Sequence, residues 1–296
     1  MADKNLKLRL DNFKKWIPKV ILVSKTLFVL SKKSIKSFIF YFKIWLLMSK
    51  NSFLGVLTQK KVLLIFLFGK ILRFIFFIVF LLFIIKGVNN LAGYSTNQTI
   101  FFFLSFSVVD TISQFLFREV YRFRSQIVTG DFDLVLSKPI SALFRVLLGG
   151  ADVMDFITIP PLFAATYYVG SLLNPDVNQV ILYLLLILSA LIISAGFHIL
   201  VMSLGIITLE IDHTMMIYRD LSSMGRFPID IYQQPLRGIL TYFIPIGIMM
   251  TLPTKALIGL VNIKGAFISF IIAFFIMFLS LRFWNFALRK YSSASS

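Results

Sequence analysis

Long apolar runs separated by short polar links dominate the chain from residue 62 onward, and each run is long enough to form a helix in lipid. Crossing the hydrocarbon layer takes roughly 20 apolar residues. The runs predict six spans: Val62–Ile85, Thr99–Phe117, Leu147–Gly170, Val180–Thr208, Leu236–Leu252 and Ala266–Leu288. Residues 1–61 have a different texture. Lysines, among them Lys14, Lys19, Lys25, Lys33, Lys36, Lys43 and Lys50, alternate with Phe, Leu, Ile and Trp at helical spacing. That pattern predicts a Lys-rich cytosolic segment with a surface-lying amphipathic helix, clearest over Ser34–Met48, and a disordered basic tail over the first dozen or so residues. A secretory leader fits poorly, because lysines recur inside the apolar stretches and no small-residue cleavage site follows. Residues 62–296 form the transmembrane domain. Lys70 and Arg73 stand three apart within its first span, and at bilayer depth they cost several kcal/mol unless they snorkel or pair. Either the span begins deeper than drawn, or this face is buried.

The links sort by charge. Lys86–Asn97 and Ser171–Gln179 carry a single lysine, whereas the opposite side holds Arg118, Arg122, Arg124, Lys138, Arg145, Arg219, Arg226, Arg289 and Lys290. The positive-inside rule then puts both termini in the cytoplasm. Composition agrees with the spans: 58% hydrophobic residues and 34 Phe in 296 residues exceed what a soluble core of this length hides. The class is therefore an all-α integral membrane protein. A net charge of +17 invites a nucleic-acid reading. The basic residues flank apolar segments, however, and form no basic face with stacking aromatics, so anionic lipid headgroups are the expected counterions and no nucleic acid is expected. Cysteine is absent and only His198 and His213 are available, so disulfides, thiol chemistry and a Cys/His zinc site are excluded or disfavoured.

One polar island interrupts the apolar pattern, between Arg124 and Phe144. Gly130 can take a positive φ and turn the backbone there. Asp131 and Asp133 precede the short apolar run Leu134, Val135 and Leu136, and Pro139 stops or starts a helix. The expected product is a short helix with acids at its start and Lys138 near its end, as the helix dipole favours. An apolar ridge with charged ends is a docking surface. The plainer alternative is that Asp131 and Asp133 only cap a helix. Metal binding by this pair lacks the remaining oxygen ligands of a loop site.

Other candidates carry weaker chemistry. Asp152 and Asp155, three apart at the start of the third span, are expected to share a helical face. They are open to pairing with Arg145 or headgroup amines, to proton coupling, and to use by a lipid-processing intramembrane enzyme or a secondary transporter. Glu210, Asp212 and His213 read as the start of a helix over Ile211–Met224 that Gly225 and Pro228 end. They have no second histidine nearby for a metal. Pro245 and Pro253 bracket the short fifth span, and the broken apolar stretch after it suits a re-entrant segment on the outer side, capping an exit path. Asn97-Gln98-Thr99 matches a glycosylation tripeptide that is common by chance. The aromatic load, with Phe at 101, 102 and 103, is expected at the lipid face and in helix packing.

GDFDLVLSKPISALFRVL, from Gly130, resembles the corresponding segment of bacterial ABC-2 type export permeases, specifically the drug/viologen-type subfamily. GRFPIDIYQQPLRGIL and the Pro-broken helix after it, through Gly259, resemble a second segment of that family, and the ending LRKYSSASS resembles its usual C-terminus. The resemblance spans roughly residues 94–296; the Lys-rich N-terminal segment and Lys70 depart from it. It implies six spans, a surface helix before the first, and a cytosolic coupling loop between the second and third. It also implies a separate ATPase partner that supplies ATP and Mg, and a second permease, identical or homologous, with a heterodimer usual. Gly130, Asp131, Asp133, Leu136, Lys138 and Pro139 then become the coupling positions, and Gly225, Arg226, Pro228 and Tyr232 a cytosolic loop before the fifth helix. The chain would be a transport subunit of the bacterial cytoplasmic membrane, not an enzyme, with no cofactor of its own. No G-x-x-x-x-G-K-[ST] phosphate loop occurs in it.

Overall fold

The structure is a computed structural model and describes residues 35–58, 60–88 and 91–292, so the expected basic tail lies outside the described residues. The chain divides into two units, Met1–Met48 and Ser49–Ser296. Residues 35–57 are helical (α1). In the first unit, Phe38, Ile39, Phe42, Leu46 and Leu47 of α1 are exposed, and the rings of Phe38, Phe42 and Trp45 stack in succession along one side.

Besides short 3₁₀ turns, the described residues of the second unit form, in chain order, α2 Lys60–Val88, α3 Thr96–Phe117, α4 Phe123–Val128, α5 Asp131–Leu136, α6 Ala142–Leu147, α7 Val153–Ser171, α8 Val177–Thr208, α9 Ile211–Ser223, α10 Leu236–Phe243, α11 Gly247–Leu257 and α12 Ile263–Lys290. Among the described residues, four stretches are long and apolar enough to cross a membrane: Lys60–Phe80, Thr96–Val128, Val177–Thr208 and Ile263–Lys290. The pair α10 and α11 joins them only if counted as one span bent by 81°. α7 has 19 residues, with Asp155, Pro160 and Pro161 among them, and is not one of the four.

Side-chain register fixes the helix directions. Phe74 and Phe77 of α2 meet Phe103 of α3 at 5.5 and 4.2 Å between ring centroids, and Lys70 reaches the start of α7, so α2 and α3 are antiparallel. α7 is antiparallel to α3, with Gly170 against Phe101 at one end and the Asp152 amide donating to the Phe115 carbonyl at the other. α8 runs parallel to α3: Tyr183 lies beside Phe101, Ser194 donates to Ser113 at 2.8 Å, and His198 packs on Phe117. α12 runs parallel to α8 along a seam of small residues. Ser189 and Ser269 hydrogen-bond at 2.8 Å, and Gly196 abuts Ile276. Small side chains let backbones approach closely where lipid offers no hydrophobic drive to associate.

Parallel α8 and α12 have a topological consequence. The chain must return from one end of the bundle to the other between Thr208 and Ile263. α9 begins that return: Ile211 packs on Gly205, Tyr218 reaches Ser194, Arg226 lies over Phe106, and Asp230 meets Tyr94 just before α3. The stretch from Ile211 to Ile231 thus traverses the bundle. The expected span Leu236–Leu252 does not: it is broken at residues 244–246, and α11 runs back along the start of α8, with Gly259 beside Gln179. Pro245 lies at that break, and Pro253 lies in the first turn of the regular helix Leu252–Leu257.

Gly205 illustrates how tight the packing is. A Cβ there would lie 1.9 Å from Cγ1 of Ile211, which is fully buried, whereas Gly69 of α2 has open space. Ala instead of Gly inside a helix gains about 1 kcal/mol in propensity, but overpacking costs about 1–3 kcal/mol. Gly205→Ala is therefore expected to lower the thermal midpoint in detergent, and Gly69→Ala to leave it level or raise it.

Candidate functional site

At the end of the bundle that carries Arg118, Arg145 and Arg289, the basic end, the chain between α3 and α7 builds a compact projection. α3 tightens into a 3₁₀ turn at Arg118–Arg122, α4 follows, and Gly130 turns the chain at φ +79°. Only glycine adopts that conformation without strain. α5 then starts at Asp131, with both Asp131 and Asp133 in its first turn, and Ser141 caps α6 by accepting from the Phe144 amide. Asp131 accepts from the Thr129 hydroxyl at 2.8 Å. Glu119, nearly buried, holds the base of the projection together. It accepts from Arg145 at 3.1 Å and Gln126 at 2.8 Å, and pairs with Arg122 at 3.5 Å.

α5 divides by face. Phe132 and Val135 are buried, and the Phe132 ring stands edge-on to Phe123, Trp284 and Tyr291, at 5.0, 6.4 and 5.1 Å. Burial, together with the Asp133 carboxylate beside it, pushes the Tyr291 phenol up to about 12. Leu134 points away from that buried face, and Leu136 at the end of α5 and Val128 of α4 are exposed as well. Lys138 and Pro139 are exposed beyond its end. Gly130, Asp131, Asp133, Leu136, Lys138 and Pro139 thus lie on one projection, whose inner side is bolted to the end of α12.

A charged cavity opens beside α2, α3, α7 and α9. Its two adjoining lobes have volumes of about 400 and 440 Å³ and share Arg73, Phe106, Asp110, Gln114 and Arg226. Ser107, Asp110, Thr111 and Gln114 put a polar stripe on α3 at helical spacing. Gln114 donates to Asp110 at 2.8 Å. Arg226 lies 5.6 Å from both the Phe77 and Phe106 ring centroids, a cation in reach of two π faces.

Asp152 and Asp155 lie close enough for their charges to interact, but they pair with different cations. Asp152 caps α7 from an extended backbone, accepting from the Met154 amide at 2.7 Å and from Arg118 at 3.1 Å. Asp155, one turn into the helix, is buried and paired with Lys70. Arg145, the partner expected for them, goes to Glu119 instead, because Gly149 and the turn before Asp152 carry it back over the 3₁₀ turn. At the start of α9, Glu210 makes no side-chain cap. Its amide donates to the Thr208 hydroxyl, its carboxylate faces His213 at 3.5 Å, and Asp212 pairs with Arg124.

Gly225, Arg226, Pro228 and Tyr232 do not form a loop at the basic end. Gly225 packs on Met250, Arg226 reaches the cavity, and the Tyr232 hydroxyl donates to the Met224 carbonyl. Just beyond Pro228, Asp230 accepts from Tyr94 at 2.8 Å and pairs with Lys255 and Arg237, at the far end. The misplacement has a physical source: a helix that faces a polar cavity needs no apolar circumference, so α9 reads as a water-exposed helix. Asp110 was not anticipated at all. Its signal was the stripe Ser107, Asp110, Thr111 and Gln114 inside an otherwise apolar run.

A model of the family described as ABC-2 family transporter protein matches residues 69–295, which covers everything from the lower part of α2 through α12. No curated protein and no solved structure gives a match. The matched span includes both the projection and the cavity, and it covers well over half of the chain: the chain belongs to the ABC-2 transporter family.

Proposed function

We propose that this chain is the membrane-spanning half of an ATP-driven exporter, energised by a separate cytosolic ATPase. Membership in the ABC-2 family supplies the class, a multi-pass transport subunit whose ATPase activity sits in a separate chain. The observation that carries the finer reading is α5. It leaves Leu134 and Leu136 exposed, as α4 leaves Val128, while Phe132 ties it to Trp284 and Tyr291, so force applied to the projection is delivered to a long apolar helix. Rigid elements that carry closure of one partner into helix movement are a recurrent switching device.

In this reading the helix bundle crosses six times, by α2, α3, α7, α8, the stretch Ile211–Ile231, and α12. The hairpin of α10 and α11 re-enters at the far end and covers the exit. The basic end lies in the cytoplasm by the positive-inside rule, with both termini on that side and α1 at the interface. ATP and Mg bind the ATPase. A second permease, homologous or identical, completes the path. The bacterial cytoplasmic membrane and the drug/viologen-type subfamily rest on the motif resemblance at Gly130–Leu147 and Gly225–Gly259. Use of Asp152 and Asp155 as a catalytic dyad finds no support, since each is committed to a different cation.

Gentle extraction of the tagged chain is expected to bring down a P-loop ATPase. Leu134→Asp, on the projection, should insert normally yet reduce ATPase capture at least tenfold. A folded chain that repeatedly purifies alone, or Leu134→Asp capturing ATPase like the wild type, sinks the assignment.

A further inference from the structure

Around the charged cavity the charges do not balance. Lys70, Arg73, Arg219 and Arg226 line it against Asp110, Asp155 and Asp220. Lys70 and Asp155 neutralise each other. Among the described residues no carboxylate lies within the 4.0 Å ion-pair limit of Arg73, Arg219 or Arg226. Asp110, which accepts from Gln114, and Asp220 offset two of the three guanidiniums through space and leave one positive charge in excess. A guanidinium keeps its charge in any protein environment, so this group cannot relieve the imbalance by losing protons. It is a standing deficit of negative charge at the depth of Phe106.

The two lobes differ in chemistry. The one near α9 adds Arg219, Tyr218, Tyr121 and His198 to the shared residues, whereas the one between α2 and α7 adds Phe74, Phe77, Phe103, Pro161 and Leu162. Each lobe is of a size that holds a small organic ligand. Arg226, beside the Phe77 and Phe106 rings, sits at the seam with no carboxylate paired to it, so its planar guanidinium offers a fork of donors. Such a fork binds a carboxylate or phosphate two atoms at a time.

From this juxtaposition we infer that the cavity takes an anionic amphiphile, with a carboxylate or phosphate head on Arg73 and Arg226 and an apolar tail among Phe74, Phe77 and Phe103, and that this is the cargo class of the exporter. The inference rests on the transporter reading for the word cargo; the binding site itself does not.

The test uses the full chain, with whatever co-purifies, in phosphatidylcholine nanodiscs. The probe is 11-(dansylamino)undecanoic acid, with its methyl ester as the neutral control. The acid should bind saturably, the ester at least tenfold more weakly. Arg226→Gln and Arg73→Gln should each weaken the acid at least tenfold, Arg226→Lys by less, and Arg289→Gln should change nothing. Equal binding of acid and ester, or wild-type binding by both Gln variants with the fold intact by near-ultraviolet circular dichroism, overturns the site. If Arg226→Gln fails to fold, Arg73→Gln, on an exposed residue of α2, decides alone. Phosphatidylglycerol in the disc separates the two sources of such a ligand. Displacement of the probe by it assigns the site to bilayer lipid and overturns the cargo part, whereas no displacement, with faster ATP hydrolysis by the co-purified complex on adding the acid, supports it. Probe binding without any ATPase partner would sink the transporter reading and leave the site standing; an ATPase partner without charge-selective binding does the reverse.

Discussion

Phe132→Ala is expected to give a transporter that hydrolyses ATP and moves nothing. Phe132 is fully buried, with Phe123, Trp284 and Tyr291 around it. Truncating a buried Phe to Ala costs about 3–5 kcal/mol, and α5 has six residues, too few to hold helical form without tertiary contacts. The loss should therefore fall on the projection. The rest of the bundle keeps its own clusters, such as the one centred on Phe101, Phe103, Ile193 and Met249. Two readouts separate this from general damage. Amide exchange in Asp131–Leu136 should accelerate at least a hundredfold, by the lower bound of that cost at a factor of ten per 1.4 kcal/mol, while α8 and α12 keep their protection. Transport per ATP hydrolysed, in proteoliposomes containing the partner ATPase, should fall by at least tenfold. Unchanged protection of α5 alongside normal transport would show that the projection does not carry force.

The same contacts show how motion would travel. Trp284 and Tyr291 belong to the end of α12, and α12 lies along α8 on Ser189, Gly196, Ser269 and Ser280. Small side chains bring the two backbones close and the buried Ser189–Ser269 hydrogen bond ties them, so α12 would carry α8 with it. α8 in turn touches α9 through Ser194 and Tyr218, and α9 leads into the cavity at Arg219 and Arg226. A displacement at Leu134 thus has a continuous packed route to the guanidinium groups.

The projection was legible in the sequence because its signals are local. A glycine that needs positive φ, acids in a first turn and a following Pro act over a few residues and survive any tertiary arrangement. Gly130 takes that φ, and α5 begins at Asp131 as expected. Hydropathy located α2, α3, α8 and α12 within a few residues for a similar reason: lipid demands an apolar circumference wherever no protein intervenes. The return stretch Ile211–Ile231 was illegible because that demand is lifted there. It carries Asp212, His213, Arg219, Asp220, Arg226 and Asp230, and it spends its polar side on the cavity, on Arg124, and on the cluster of Tyr94, Arg237 and Lys255. The more apolar Leu236–Leu252 took its place in the reading, although Pro245 already marks where that stretch breaks. Arg219 and Arg226 were assigned to the cytoplasmic charge excess for the same reason. Pairings such as Lys70 with Asp155, 85 positions apart, have no local signature at all.

That pairing gives the second large effect. Asp155 has 1% of its side chain exposed and Lys70 35%, so the two are unequal partners. Lys70→Met strands a carboxylate among α2, α3 and α7, and breaking a buried pair from one side is expected to cost about 3 kcal/mol, the low end of the usual range because Lys70 is partly accessible. Asp155→Asn leaves Lys70 free to extend toward water and should cost about 1 kcal/mol or less. The double variant Lys70→Met, Asp155→Asn removes both charges and should return to within about 1 kcal/mol of the wild type, since desolvation no longer has to be offset. A double-mutant cycle of urea unfolding in mixed micelles measures this coupling directly. Strict additivity of the two single variants would show that the ion pair contributes nothing. If the pair is purely structural, the double variant keeps transport as well as stability. Should transport collapse while stability recovers, Lys70 and Asp155 would instead separate and re-form during the cycle, and that outcome would place the hinge of the charged cavity between α2 and α7.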